Sequence, residues 1–196
     1  MKRRQFILTA GAAAAAGIVG ASQTSLSWSS DRKKDRKAMT LDELHEGWRD
    51  YLPAGFEPLD PSERVQLSKE EWQVKLNNPL AYDVLRREGT ERPFTSELNN
   101  EKREGVYVCA GCPLPVFTSA MKFDSGTGWP SFFTSIPGAL ETKTDYKLIL
   151  PRTEYHCVCC GGHHGHVFKD GPAPTGQRWC NNGVSLIFLP KDESVS

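Results

Sequence analysis

The sequence predicts a mainly β domain led in by short helices, and three features carry that reading. Helical spacing of apolar residues is confined to the stretch from Leu41 to Arg87. Beyond it, short extended runs alternate with Gly- and Pro-rich turns, such as Asp170-Gly171-Pro172-Ala173-Pro174-Thr175-Gly176 ahead of Arg178. Two Cys-x-x-Cys pairs, Cys109/Cys112 and Cys157/Cys160, call for tight turns brought together in space. With 196 residues the chain can bury one sizeable core and still carry extensions.

Residues 1–21 read as an export signal. Lys2-Arg3-Arg4-Gln5-Phe6-Ile7-Leu8 resembles the twin-arginine motif, and Thr9 to Val19 is an Ala/Gly-rich run too short and weakly apolar for a stable membrane span. Val19-Gly20-Ala21 supplies small residues for cleavage before Ser22. An uncleaved anchor or an ordinary basic N-terminus is the competing reading. Twin-arginine export carries folded proteins, so the expected destination is the periplasm or exterior of a bacterium, with no stable membrane anchor after cleavage. The chain balances 24 basic against 24 acidic residues, and removing residues 1–21 leaves a net charge of −3. That balance argues against an electrostatic nucleic-acid binder.

Residues 22–64 read as a polar linker, since Asp31-Arg32-Lys33-Lys34-Asp35-Arg36-Lys37 and its Ser-rich approach offer no apolar face to bury. Within it, Leu41, Leu44 and Trp48 recur at helical spacing, predicting a short amphipathic helix that ends before Pro53 and packs on the domain. The domain is expected over 65–190, with a tail at 191–196. Ser68-Lys69-Glu70-Glu71 is a capping box, predicting a helix to about Leu76, and Pro79 to Arg87 predicts a second. Tyr107-Val108 is extended before Cys109-Ala110-Gly111-Cys112, whose Gly permits a tight knuckle. Phe123 to Phe133 is Gly-punctuated and aromatic; Trp129 and Phe132 there suit an apolar pocket wall or, alternatively, an aromatic core loop.

Cys109, Cys112, Cys157 and Cys160 make a four-thiolate set. Two knuckles meeting face to face give tetrahedral sulfur coordination, which suits zinc and, with no open position, a structural role. Two disulfides, or iron in the same sulfurs, are the alternatives. Cys159 lies between the second pair, but Cys157 and Cys160 have the matching spacing.

His163-His164-Gly165-His166 follows directly. In a straight strand positions 163 and 166 would face opposite sides; the glycines at 161, 162 and 165 would let the chain bend and bring both imidazoles together. Beside a thiol, two histidines could orient a substrate and transfer protons near neutral pH. Metal ligation is the alternative, though the cysteines already fill a zinc shell. The thiol is Cys180. Arg178 to Leu189 reads as one strand, on which Arg178, Cys180 and Asn182 share a face with Val184, Leu186 and Phe188. A nearby cation favours thiolate over thiol, so this face suits a nucleophile; a buried structural Cys is the bland alternative.

The run Cys157 to Pro172, then Pro174-Thr175-Gly176 and Arg178-Trp179-Cys180-Asn181-Asn182, resembles the peptide methionine-(R)-S-oxide reductases, the B-type methionine sulfoxide reductases. Tyr107 to Phe133, with Asp124-Ser125-Gly126 and Gly128-Trp129-Pro130-Ser131-Phe132, is similar to the family's other half, as are Gly89-Thr90-Glu91-Arg92 and Phe94. The likeness runs from Val65 to Pro190. It implies a mainly β fold of two packed antiparallel sheets, barrel-like, with short N-terminal helices and a structural zinc on the four cysteines. It implies repair, under oxidative stress, of oxidised proteins or peptides containing the R epimer of methionine sulfoxide. Cys180 would attack the sulfoxide sulfur and become a sulfenic acid. His163, His166 and, through hydrogen bonding, Asp170 would supply or relay protons. Arg178 would hold the thiolate, Asn182 would orient the site, and Trp129, with Phe132, would meet the substrate. A thioredoxin-like partner or small thiol would restore Cys180.

Four departures from the family pattern stand out. His164 replaces a commonly apolar residue, Lys169 a frequent Asp, and Gly183-Val184 a usual Ser-Ala, while Thr127 sits where many members carry a second, resolving Cys. A Cys–His hydrolase and a zinc-knuckle interaction module are the rival readings. The first lacks a clear oxyanion-hole motif, and the second needs no thiol chemistry.

Overall fold

The structure is a computed structural model that describes residues 39–146 and 151–194; the export signal and the charged part of the linker lie outside the described residues. Thr40 and Glu43 close a capping box that starts α1 (Leu41–Glu46), and a 3-10 turn over Gly47–Tyr51 ends before Pro53. Leu44 is buried, while Trp48, Leu52, Phe56 and Leu59 pack against the main core. From Thr40 onward the expected linker is therefore a strap laid on the domain. Burial of these apolar side chains, at roughly 25 cal/mol per Å², holds it there.

Ser68 Oγ accepts the Glu71 N–H at 3.2 Å and the Glu71 carboxylate accepts the Ser68 N–H at 2.7 Å, opening α2 (Lys69–Leu76). Asn77 ends it in the left-handed region, and the Asn78 side chain then caps α3 (Pro79–Arg87), with Pro79 in the first turn where no N–H is needed. This helix buries Ala81, Val84 and Leu85.

The strands are β1 (Gly105–Cys109), β2 (Pro115–Thr118), β3 (Lys122–Phe123), β4 (Ser131–Phe132), β5 (Leu140–Asp145), β6 (Arg152–Cys157), β7 (His163–Phe168), β8 (Arg178–Asn181) and β9 (Leu186–Pro190). They form a small sheet in the order β2-β1-β9 and a larger one in the order β3-β4-β8-β7-β6-β5, with antiparallel pairing throughout. Aromatic rings fill the space between the sheets. Phe117 of β2 stacks on Phe132 of β4 at 4.0 Å between centroids, and Tyr107 of β1 meets Phe132 edge-on at 5.0 Å.

Two details depart from the sequence-based expectation, and both shape the site. Arg178 to Leu189 is not one strand: β8 and β9 belong to different sheets, joined by a 3-10 turn over Gly183–Ser185. The turn is forced by Glu91, 2 % exposed, whose carboxylate accepts the N–H groups of Gly183 at 2.6 Å and Val184 at 3.1 Å. Gly183 is required there because a Cβ would collide with Ser96. The second detail is a bulge between β6 and β7. Tyr155 pairs with Gly165 and His156 with His163, which leaves His164 as the extra residue. The bulge, more than a bend at the glycines, puts His163 and His166 on one face and turns His164 into the core.

Candidate active site

Pairing aligns Ser131, Cys180, His166, Glu154 and Lys143 on one face of the larger sheet, across β4, β8, β7, β6 and β5. The opposite face carries Phe132, Trp179 and Val167 toward the core. Phe132, expected at the substrate, is therefore fully buried and faces away from Cys180. Its neighbour Ser131 takes the site face because side chains alternate along a strand. Gly165 lets β7 close onto β8, since a Cβ there would strike the Cys180 carbonyl.

A cleft of about 120 Å³ opens at Cys180 and is walled by Trp129, Phe168, His166, Arg152 and Asn182. Its aromatic walls are thus Trp129 and Phe168. Arg178 lies over the Phe168 ring at 4.3 Å and is held by Asp170 through two parallel 2.9 Å hydrogen bonds, Nε to Oδ1 and Nη2 to Oδ2. Burial pushes the half-buried Cys180 thiol above its ordinary pKa; the Arg178 charge and hydrogen bonds from Thr127 and Arg178 pull it down without winning. Proximity of a cation does not by itself yield a thiolate here, because burial outweighs it and the Asp170 charge adds to the effect of burial.

Asp170 is the partner of Arg178 and not of the histidines. The carboxylate at His166 is Asp145, with Nε2 and Oδ2 2.9 Å apart, and Asp145 also accepts from Arg152 Nη2 at 2.6 Å. Burial lowers the His166 pKa, an effect that the Asp145 hydrogen bond opposes. His163 shares the face but stands one row behind: it is 1 % exposed, its ring centroid is 5.4 Å from that of His166, and burial pushes its pKa down to about 3. It does not line the cleft.

Asn182 acts through a short relay. Its Oδ1 accepts the Glu91 N–H at 2.9 Å and its Nδ2 donates to the His164 carbonyl at 2.8 Å, while Trp129 Nε1 donates to the Glu91 carbonyl at 3.2 Å. One amide thereby ties β7 to the loop that positions Trp129. His164 stacks 6.1 Å from Tyr155 on the core side, far from any substrate role.

Glu91, Asp145, Arg152 and Phe168 were not singled out as site residues by sequence reasoning, and Thr127 was noted only as standing in place of a resolving Cys. Phe168 and Arg152 carry a usable signal, since each lies two residues from a site-face position on its own strand. For Glu91 there is none: its partners lie about ninety positions away.

The four cysteines meet as expected. Cys109 and Cys160 Sγ are 3.6 Å apart, Cys112 and Cys157 are 3.4 Å apart, and all four are buried. A disulfide would bring sulfurs to about 2.05 Å; a tetrahedral ion with metal–sulfur bonds of about 2.3 Å would set them about 3.8 Å apart. The set therefore fits a metal ion and joins the β1–β2 turn to the β6–β7 turn. Cys159 points away: its Sγ donates to the Asp60 carbonyl at 3.4 Å, and burial pushes its thiol up to about 11. Among the described residues, no helix is long and apolar enough to cross a membrane.

Comparison with known proteins agrees with this geometry. The SelR domain family matches residues 77–190. A peptide methionine sulfoxide reductase MsrB of Leifsonia xyli subsp. xyli is 52% identical over 132 residues, covering 66% of this chain and 94% of that protein. The MsrB proteins of Methanosarcina barkeri and Agrobacterium fabrum are 50% and 48% identical over 130 residues, each covering 66% of this chain and 91% and 96% of their own. With a cysteine cleft, a four-cysteine cluster and two packed antiparallel sheets in the expected places, the chain belongs to the MsrB family of peptide methionine sulfoxide reductases.

Proposed function

We propose that this methionine sulfoxide reductase acts on the R epimer, chiefly in oxidised proteins and peptides, through Cys180. The observation that carries the reading is a nucleophilic thiol at a small cleft with two aromatic walls and an imidazole beside it. Trp129 and Phe168 receive the apolar methyl end of the side chain. The resting pair is a neutral thiol and a neutral imidazole, because burial raises the Cys180 pKa and lowers that of His166. His166 takes the thiol proton as the sulfur attacks, and Asp145 stabilises the transient imidazolium. The proton then goes to the sulfoxide oxygen. Oxygen passes to Cys180, methionine leaves as the thioether, and the enzyme holds a sulfenic acid.

Return to the thiol needs two reducing equivalents. Thr127 stands beside Cys180 where a resolving thiol would act, four cysteines are engaged in the cluster, and Cys159 is tethered at Asp60. An external reductant, a thioredoxin-like protein or a small thiol, therefore attacks the sulfenic acid, releases water and leaves as a disulfide after a second thiol adds. Zinc held by Cys109, Cys112, Cys157 and Cys160 would tie the two sheets together and supply no chemistry at Cys180. The twin-arginine-like motif at Arg3-Arg4 supports export of the enzyme to the periplasm or cell exterior as part of this proposal.

The test is turnover of both sulfur epimers with excess dithiol, beside an activated ester as control. Wild-type protein should reduce only the R epimer, and Cys180→Ser should fall to background with unchanged melting temperature. Equal rates on both epimers, or a Cys180→Ser variant that retains activity, would remove the basis of the proposal. Ester hydrolysis without sulfoxide reduction would favour the hydrolase. In substrate-treated enzyme without reductant, mass spectrometry should find Cys180 as a sulfenic acid; a Cys159–Cys180 disulfide would overturn external recycling.

A further inference from the structure

A second cluster of ligand-type side chains lies on the site face, apart from both the four cysteines and the Cys180 cleft. Glu154 and His156 are two apart on β6 and so share a face, and the β7 bulge sets His163 directly opposite His156. Glu154 Oε2 is 3.2 Å from His163 Nδ1 and 3.4 Å from His156 Nε2. One ligand atom from each residue falls within 4.8 Å of the other two, and all three residues are buried.

These short separations are not hydrogen bonds. Among the described residues, His156 Nε2 and both ring nitrogens of His163 lack a partner in hydrogen-bonding geometry. Buried polar atoms normally find one, and two of these orphans, His156 Nε2 and His163 Nδ1, converge on Glu154 Oε2. A divalent ion bonded at about 2.0–2.1 Å to each would hold its ligands about 3.3 Å apart on a tetrahedron. The two separations from Glu154 bracket that value. The other Glu154 oxygen, Oε1, is held at 3.1 Å by Lys143, which in turn meets Glu88 at 2.9 Å. That contact aims Oε2 at the two imidazoles.

We propose that Glu154, His156 and His163 form a second metal site, which takes one first-row divalent cation such as zinc through two imidazoles and a carboxylate. Three protein ligands leave an open position, as exchangeable sites do, whereas four thiolates close theirs. The Lys143 ammonium makes the new site the weaker of the two. An ion there fixes the His163 ring, 5.4 Å from that of His166, and so slows turnover. The binding claim stands apart from the proposed reaction; only this inhibition rests on it.

The experiment equilibrates full-length protein, with the cysteine cluster loaded, against micromolar free zinc, and counts metal per chain after dialysis at the same free zinc. Wild type should hold about two zinc ions, and His156→Gln and Glu154→Gln about one. His156→Gln keeps a polar side chain at the most accessible of the three positions, and its melting temperature shows whether the fold survives. Should Glu154→Gln unfold, His156→Gln carries the test alone. A single zinc in wild type across the range, or two in folded His156→Gln, would overturn the site. Zinc should slow sulfoxide turnover several-fold in wild type and not in His156→Gln; equal slowing in both would place the effect at Cys180 and overturn the inhibitory role.

Discussion

Removing the Glu91 carboxylate should unhinge the active site without touching it. Glu91 is 2 % exposed and accepts two backbone N–H groups, from Gly183 at 2.6 Å and Val184 at 3.1 Å, at the turn that separates β8 from β9. Each hydrogen bond to a charged group contributes about 1.5–3 kcal/mol. Water entering the space left by Glu91→Ala recovers part of this, so the low end applies and the loss is about 3 kcal/mol. Glu91→Gln keeps one accepting oxygen and should lose about half as much. For a domain of this size 1 kcal/mol lowers the melting temperature by roughly 2–4 °C, which predicts about 6–12 °C for Ala. The Glu91 backbone also receives Trp129 Nε1 and donates to Asn182 Oδ1, so the loosened loop should misplace the aromatic wall. Activity should then fall by about tenfold or more in kcat/KM, as expected when positioning groups shift by a fraction of an ångström. Thermal melts and sulfoxide kinetics on metal-loaded protein measure both. A Glu91→Ala variant melting within about 2 °C of wild type and turning over normally would refute the reasoning.

Four further outcomes follow from the same geometry. Iodoacetamide should alkylate Cys180 faster as pH rises beyond the ordinary thiol range; Thr127→Val should slow alkylation at fixed pH by losing a hydrogen bond to the thiolate, and Asp170→Asn should speed it by removing an opposing charge, so a shift of the reverse sign in either variant would contradict this balance. Cys112→Ser or Cys157→Ser should lose metal and stability together, read by metal analysis and melting, since structural ion binding is folding free energy; a metal-free protein of full stability would refute it. His164 is buried with its pKa pushed down to about 4, so the folded state resists its protonation while the unfolded chain takes up a proton near 6.5. Its contribution is present above about pH 6.5 and lost as pH falls toward 4, by up to about 3 kcal/mol, and His164→Leu should flatten that part of the stability–pH curve in urea titrations. Replacing Arg3 and Arg4 by Lys should leave precursor in the cytoplasm on cell fractionation; unchanged export would point to the general secretory route.

What could be read from the sequence separates cleanly by the reach of the interaction that decides it. The capping box at Ser68 and the Asn78 cap act over two or three residues, and both helices lie where spacing puts them. The cysteine cluster is long-range, but each half announces itself through a local Cys-x-x-Cys turn. Arg178 to Leu189 fails as a single strand because its break is written in Glu91, on the far side of the chain. The pairing of carboxylates fails for a related reason. Asp170 is near His166 in sequence, yet Asp145 reaches it because β5, β6 and β7 are neighbours in the sheet. Phe132 fails at the level of parity alone. One residue of register decides whether a strand side chain meets substrate or core, and the pairing of Ser131 with Cys180 sends Phe132 to the core. The bulge at His164 works by the same rule in the opposite sense. An unpaired residue reverses parity along β7, so that two histidines three positions apart face one way and the one between them packs on Tyr155. Chemistry on this sheet is thus set by register, and the bulge is what allows one strand to serve the cleft, the buried Glu154 cluster and the aromatic core at once.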